Sequence, residues 1–124
     1  MKIYVCSHCG NIINKISDSG VSVVCCGDTM DELVPNTVEA SVEKHIPQVA
    51  IAGGEVKVTV GSVEHPMLPE HYIQWIYLET EKGGQLKKLN PGETPSVTFA
   101  LNEDKAVAVY AYCNIHGLWK KNNK

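Results

Sequence analysis

A cysteine and a histidine near the C-terminus have the spacing of two ligands for one metal ion. Cys113 and His116 lie three residues apart, so a thiolate and an imidazole can reach the same ion from one short loop. Three more histidines lie upstream, in predicted loops that contain prolines: His45, His65 and His71. A lone loop histidine is usually a solvated side chain, but neutral imidazole is also a common ligand of iron, copper and zinc.

Taken together, these side chains form an unusual donor set. Four nitrogens and one sulfur exceed the four ligands of a structural zinc site. Five protein ligands also leave one octahedral position open for a small molecule. The set therefore indicates redox or substrate chemistry at iron.

The other cysteines of the chain predict a second metal site near the N-terminus. They are Cys6, Cys9, Cys25 and Cys26. Adjacent residues in a strand point to opposite faces, so Cys25 and Cys26 share an ion only if the backbone is distorted there, which Gly27 permits. Four thiolates select zinc or iron without distinguishing them. Because about 36 residues bury too little apolar surface to be stable alone, we expect a metal to hold this unit folded. His8 is interpreted as a solvent-exposed side chain.

Composition limits the class of protein. The chain has 124 residues, a hydrophobic fraction of 44% and no apolar run near the roughly 18 residues of a membrane span. Its N-terminus lacks the apolar core of a signal peptide, so we expect a cytoplasmic protein whose five cysteines are metal ligands rather than disulfides. A net charge of -3 argues against nucleic acid as a partner.

The elements that must position these ligands are predicted to be β-strands. A break at Pro35-Asn36 separates residues 1–36 from residues 37–124. The second part shows period-two patterns and recurrent turn signals, as in an antiparallel sandwich. The predicted strands are 37–41, 48–51, 55–60, 72–80, 85–89, 96–101 and 105–113. Cys113 shares parity with Val107, Val109 and Ala111, so its sulfur is expected to continue an inward-facing row.

Several local motifs occur together in an informative order. They are Cys6-x-x-Cys9 with Cys25-Cys26, Glu43-Lys44-His45, Val63-Glu64-His65-Pro66-Met67, His71-Tyr72-Ile73-Gln74-Trp75 and Cys113-Asn114-Ile115-His116-Gly117. In this order and spacing the chain resembles desulfoferrodoxin, the two-iron form of superoxide reductase, over essentially its whole length. The resemblance implies an all-β protein in which a small desulforedoxin-like metal-binding domain, 1–36, precedes a seven-stranded immunoglobulin-like β-sandwich, 37–124.

The resemblance also implies the two cofactors and the reaction. One iron would have the Fe(Cys)4 form on Cys6, Cys9, Cys25 and Cys26. The other would have four imidazoles in a plane, from His45, His65, His71 and His116, with Cys113 axial and opposite the open position. The reaction implied is one-electron reduction of superoxide to hydrogen peroxide, with electrons from rubredoxin or a similar donor, in a protein that is usually a homodimer.

Two charged residues beside His45 are assigned roles in this reaction. Lys44 would attract the superoxide anion, although an isolated lysine is ordinarily only solvated. Glu43 would occupy the sixth position when the iron is ferric. Lys120, Lys121 and Lys124 follow the ligand loop and would add to the positive field, unless they form only a solubilising tail.

Other classes of function stay open from the sequence. The chain fits an iron electron-transfer protein without a small-molecule substrate, and it fits a structural zinc module. Among enzymes, a dismutase would also oxidise superoxide, whereas a thiolate ligand favours reduction.

Overall fold

The computed structural model describes residues 1–123 and is built almost entirely from short antiparallel strands. Contacts between Cα atoms divide the chain into two compact units, with Met1–Val34 in the first and the second beginning at Pro35. The division lies two residues before the boundary predicted from Pro35-Asn36. No helix among residues 1–123 is long and apolar enough to cross a membrane.

The first unit consists of very short strands. They are β1 (Ile3–Val5), β2 (Ile12–Asn14), β3 (Val24–Cys25), β4 (Asp28–Thr29) and β5 (Asp31–Leu33). One sheet has the order β2-β1-β5, and β3 pairs with β4 as a separate hairpin. The buried hydrophobic residues found in this unit are Ile3, Cys6 and Met30. So small an apolar core agrees with the expectation that a metal holds the unit folded.

The second unit contains one helical turn and two sheets. The elements are α1 (Val42–His45), β6 (Pro47–Ala52), β7 (Glu55–Val60), β8 (Ile73–Thr80), β9 (Gly83–Lys88), β10 (Ser96–Ala100), β11 (Ala106–Cys113) and β12 (Gly117–Asn122). A three-stranded sheet has the order β10-β7-β6, and a four-stranded sheet has the order β12-β11-β8-β9. All pairings in these sheets are antiparallel.

One hydrophobic core joins the inner faces of the two sheets. In β7 the pattern of alternate burial places Val56, Val58 and Val60 inward, where they are at most 1% exposed. The same cluster includes Phe99 of β10, three aliphatic side chains of β8, and Val109, Ala111 and Cys113 of β11. The core therefore reaches from the sheet interior to the sulfur atom of a candidate ligand.

The predicted strand at 37–41 is wrong. Those residues form bends and irregular backbone that lead into α1. The place beside β12 is taken by Asn36, whose φ is 63° and whose side chain binds the backbone N–H and C=O of Lys120. Because a single asparagine makes these bonds and turns the chain, no ladder forms along the following residues.

A strand was also missed at the C-terminus. Residues interpreted as the start of a basic tail form β12, which pairs with β11 from Gly117 to Asn122. Within β12 the ammonium group of Lys120 lies 5.3 Å from the centre of the Tyr110 ring, so this lysine packs on the sheet. Lys124 lies outside the described residues.

The inward row of β11 is confirmed at three of its four positions. Val109, Ala111 and Cys113 are at most 2% exposed, but Val107 is 41% exposed. The register with β8 shifts between Ala106 and Ala108. A bulge there reverses the parity of the strand's first residues, which is why Val107 faces outward.

Candidate metal centres

The four N-terminal cysteines converge on one point. Their sulfur atoms all lie within 4.8 Å of one another, and Cys9 Sγ and Cys25 Sγ are 3.6 Å apart. Metal–sulfur bonds of about 2.3 Å in a tetrahedron require sulfurs roughly 3.8 Å apart. The backbone distortion expected after Cys25 is present, with φ of 53° at Cys26 and 80° at Gly27. The geometry therefore fits a single ion bound by four thiolates.

The pKa values of the cysteine thiols favour a bound cation. A hydrogen bond from the Cys9 N–H helps to lower the pKa of Cys6 to about 6, whereas bonds to the neighbouring thiols of Cys9 and Cys6 raise the pKa of Cys26 to about 12. One thiolate thus opposes ionisation of the others. A bound metal ion removes that opposition, because a coordinating thiol is deprotonated outright. His8 is exposed and contacts Asp28 at 2.5 Å, as expected of a residue that is not a ligand.

The second cluster draws one side chain from each of five segments. His45 ends α1, which corrects its assignment to a loop. His65 lies in the turn after β7, and His71 lies just before β8. Cys113 is the last residue of β11, and His116 lies in the turn to β12. Strand ends of both sheets therefore bring the donors together.

The four imidazole rings follow one another around a cycle. The centroid distances between neighbours are 4.7 Å for His45–His65, 4.7 Å for His65–His71, 5.3 Å for His71–His116 and 4.9 Å for His116–His45. The diagonal from His45 to His71 is longer, at 6.5 Å. Four short sides and a longer diagonal describe a roughly square array of rings.

Hydrogen bonds determine which nitrogen of two rings faces the centre. His45 Nδ1 lies 2.7 Å from the Ser41 carbonyl oxygen, and His65 Nδ1 lies 2.7 Å from that of Pro66. A carbonyl only accepts, so both Nδ1 atoms carry the proton and both Nε2 atoms carry lone pairs. These two Nε2 atoms are 3.2 Å apart. Such bonds from the outer nitrogen commonly orient metal-binding histidines.

Two facing lone pairs at that distance repel unless a cation lies between them. Metal–nitrogen bonds of about 2.1 Å place neighbouring ligand atoms roughly 3.0 Å apart. His116 Nδ1 is 3.1 Å from His45 Nε2, and His71 Nε2 is buried with no hydrogen-bond partner among residues 1–123. The donor atoms therefore fit a metal ion that three rings would bind through Nε2 and His116 through Nδ1.

Burial favours the neutral form of three of these imidazoles, those of His45, His65 and His71, and a metal ligand must be neutral. It lowers the pKa of His65 to about 4, and it is also the largest cause of the lowered pKa of His45 and His71. Mutual repulsion between the rings lowers these pKa values further.

Cys113 completes the cluster on the core side. It is 0% exposed, and its sulfur lies within 4.8 Å of the donor atoms of His45, His65 and His71. The same sulfur is 3.9 Å from His116 Nδ1 and accepts a bond from the His116 N–H at 3.4 Å. The structure thus brings together all five residues that the sequence proposed for this site.

Trp119 is a contact that the sequence analysis missed. Its ring stacks on His45 with centroids 4.8 Å apart, and its Nε1–H donates to the His116 carbonyl at 3.1 Å. It is 2% exposed, so one buried side chain touches two members of the cluster. Trp119 lies three residues after His116. Only recognition of β12 as a strand would have shown that this spacing places Trp119 beside the cluster.

Glu43 and Lys44 lie in α1 immediately before His45. Glu43 is exposed and Lys44 is half-buried. Both charges affect pKa values in the cluster. The Lys44 ammonium helps to lower the pKa of His71, and the Glu43 carboxylate acts to raise the pKa of His45. A cation and an anion therefore lie beside the histidines.

The backbone of α1 is held by the turn that follows β7. The Glu43 carbonyl accepts the Val63 N–H at 2.9 Å and the Ser62 hydroxyl at 3.2 Å. Gly61 approaches the same segment so closely that an added Cβ would lie 2.6 Å from the Glu43 carbonyl oxygen. This contact determines where α1, and with it His45, can lie.

A family profile described as Desulfoferrodoxin matches residues 37–122. The desulfoferrodoxin of Nitratidesulfovibrio vulgaris is 43% identical over 119 residues, which cover 96% of this chain and 94% of that protein. The superoxide reductase structure from Treponema pallidum has a TM-score of 0.82 and 42% identity, covering 98% of this chain and 100% of that one. A superoxide reductase from Giardia intestinalis has a TM-score of 0.54 and 33% identity, covering 64% and 95%.

Proposed function

This chain belongs to the desulfoferrodoxin family, and we propose that it is a superoxide reductase, which reduces superoxide to hydrogen peroxide at its histidine–cysteine centre. The observation that carries the proposal is the convergence of four imidazoles and one buried thiol, with a lysine and a glutamate beside them. The Treponema pallidum protein, which is similar over almost the whole chain, is a superoxide reductase.

The donor set suits a reductase better than a structural site. Five donors leave one octahedral position free, whereas a structural zinc site is closed by four. Iron bound there would supply the one-electron couple by which superoxide, one electron and two protons give hydrogen peroxide. Cys113 would bind the iron as a thiolate, and electron density donated by its sulfur to the iron would favour reduction of the substrate.

The residues around the centre prepare it for an anion. The neutral rings of His45, His65, His71 and His116 add no negative charge, so only the thiolate offsets the charge of a divalent ion. The Lys44 ammonium increases the local concentration of a small anion at the site. Glu43 is proposed as a sixth ligand in the ferric state, where it would exchange with substrate.

The four-cysteine centre is assigned to the second iron. A rubredoxin-like protein is proposed as the electron donor that restores the ferrous state. Assembly as a homodimer and a cytoplasmic location stay predictions from the sequence.

The proposal is tested by exposing the iron-loaded, anaerobically reduced protein to a pulse of superoxide and following its absorbance by stopped flow. Oxidation of the histidine centre that is first order in superoxide supports the function. A centre that stays ferrous would contradict the proposed function and favour an iron electron-transfer protein without a small-molecule substrate. A colourless protein with zinc at both sites would show a structural module instead.

A further inference from the structure

His71 differs from His45 and His65 in how its ring is held. His45 and His65 each donate a ring N–H to a backbone carbonyl, and the carbonyl of His116 is held by Trp119. In the part of the chain that the structure describes, His71 Nε2 is buried without a hydrogen-bond partner. With no hydrogen bond at that nitrogen, the backbone on either side of His71 has a larger part in setting where Nε2 lies.

The bonds of His71 itself are local. Its carbonyl accepts the Leu68 N–H at 2.9 Å, and its own N–H donates to the Leu68 carbonyl at 3.0 Å. These two bonds close the turn 68–71. They do not connect that turn to the strand end that carries Cys113.

Asn114 makes this connection. Its Oδ1 accepts the Tyr72 N–H at 2.9 Å, and its Nδ2 donates to the Glu70 carbonyl at 3.0 Å. Its own backbone N–H also donates to the Tyr72 carbonyl at 3.2 Å. The side chain thus binds the residues immediately before and after His71, and it does so from the residue that follows Cys113.

The connection lies where the regular ladder between β8 and β11 is interrupted. Their register shifts between Tyr112 and Cys113, and the ladder ends where Cys113 pairs with Ile73. A carboxamide offers an acceptor and a donor in one plane, so it can replace the pair of bonds that a further strand residue would make.

We propose that Asn114 is a positioning residue, which sets where His71 Nε2 lies relative to Cys113 Sγ and so keeps His71 among the ligands. The proposal rests on the metal centre of the proposed function but not on its reaction. Only asparagine has both groups at this reach: aspartate keeps the acceptor for Tyr72 but turns a second oxygen toward the Glu70 carbonyl, and alanine loses both bonds.

The test measures how tightly the histidine centre retains ferrous iron, by competition with a coloured chelator, in the full-length iron-loaded protein. Mössbauer spectra separate the two irons, so the four-cysteine centre is a control inside each molecule. We expect Asn114→Ala to weaken retention about 10- to 100-fold at the histidine centre alone, as loss of an outer-shell partner typically does. Asn114→Asp should weaken it less, and Asn102→Ala, at an exposed asparagine between β10 and β11, should leave it unchanged.

A double-mutant cycle distinguishes positioning from general stabilisation. If Asn114 acts through His71, Asn114→Ala should have no further effect on iron retention in a His71→Ala background. An equal loss in both backgrounds would overturn the proposal, as would a normal histidine-centre spectrum and normal iron retention in both Asn114 variants. If Asn114→Ala does not fold, the same double-mutant cycle with His71→Ala is measured with Asn114→Asp. A protein that passes this test yet ignores superoxide would refute the function and leave the positioning role standing.

Discussion

Substituting Gly61 by alanine should disturb the histidine centre without changing any ligand. The added Cβ would lie 2.6 Å from the Glu43 carbonyl oxygen, 3.0 Å from the Ile46 carbonyl oxygen and 3.0 Å from the Lys44 carbonyl carbon. All three are backbone atoms. Ordinary van der Waals contact begins at 3.4 Å, so the Glu43 carbonyl oxygen and the added Cβ would have to move apart by a further 0.8 Å. No side-chain rotation supplies it, and α1 must move.

The cost can be bounded from the collision. Overpacking a close contact costs roughly 1–3 kcal/mol. If movement of α1 relieves it, that free energy is lost from iron binding through His45, which corresponds to about 5- to 150-fold weaker retention. A displacement of nearly an ångström at Lys44 should also slow the reaction with superoxide, because misplacement by about 1 Å can cost on the order of 100-fold.

The assay is chelator competition for ferrous iron, with thermal unfolding measured on the same samples. Gly53→Ala is the matched control: its φ of 60° makes alanine unfavourable by roughly 1–2 kcal/mol, but its Cβ would meet nothing within 4 Å. Gly53→Ala should therefore lose stability with normal iron retention. If Gly61→Ala retains iron as well as Gly53→Ala does, the turn after β7 does not position α1 and the reasoning is refuted.

Three further substitutions test the assigned roles. Cys113→Ser should reduce the rate of superoxide reduction by more than the roughly 100-fold typical of outer-shell changes, with the four-cysteine centre still loaded; near-normal rates would exclude the thiolate role. Lys44→Ile should slow the second-order encounter about tenfold and flatten its dependence on ionic strength, because a steering charge is lost; an unchanged salt series in pulse radiolysis would argue against it. Glu43→Ala should shift the ferric absorption spectrum but leave the encounter fast, and a slow encounter would show that Glu43 has been misassigned.

The core-facing row and the ligand set were readable from the sequence because both depend on simple spacing. Strand parity placed Cys113 beside Val109 and Ala111, and the structure confirms its burial. Parity failed at Val107 because a bulge depends on how two strands pair, which no local pattern records. The residue types named the donors, but not the carbonyls of Ser41 and Pro66 that determine which nitrogens face the centre.

The errors at the two ends of the second unit have a common cause. The segment 37–41 has strand-like residue types, yet Asn36 already occupies the position beside β12. The residues of β12 look like a basic tail, yet they pair with β11 and carry Trp119 into the centre. Whether a segment becomes a strand depends on which neighbouring edge is free, and that is a property of the assembled sheet.

The most direct test of the central claim is the product yield. The reduced, iron-loaded protein is exposed to a measured pulse of superoxide with an excess of electron donor, and hydrogen peroxide and oxygen are quantified together. A reductase gives one hydrogen peroxide for each superoxide consumed and evolves no oxygen. Equal amounts of hydrogen peroxide and oxygen would mean dismutation, and would contradict the account of Cys113 as a ligand that favours reduction alone.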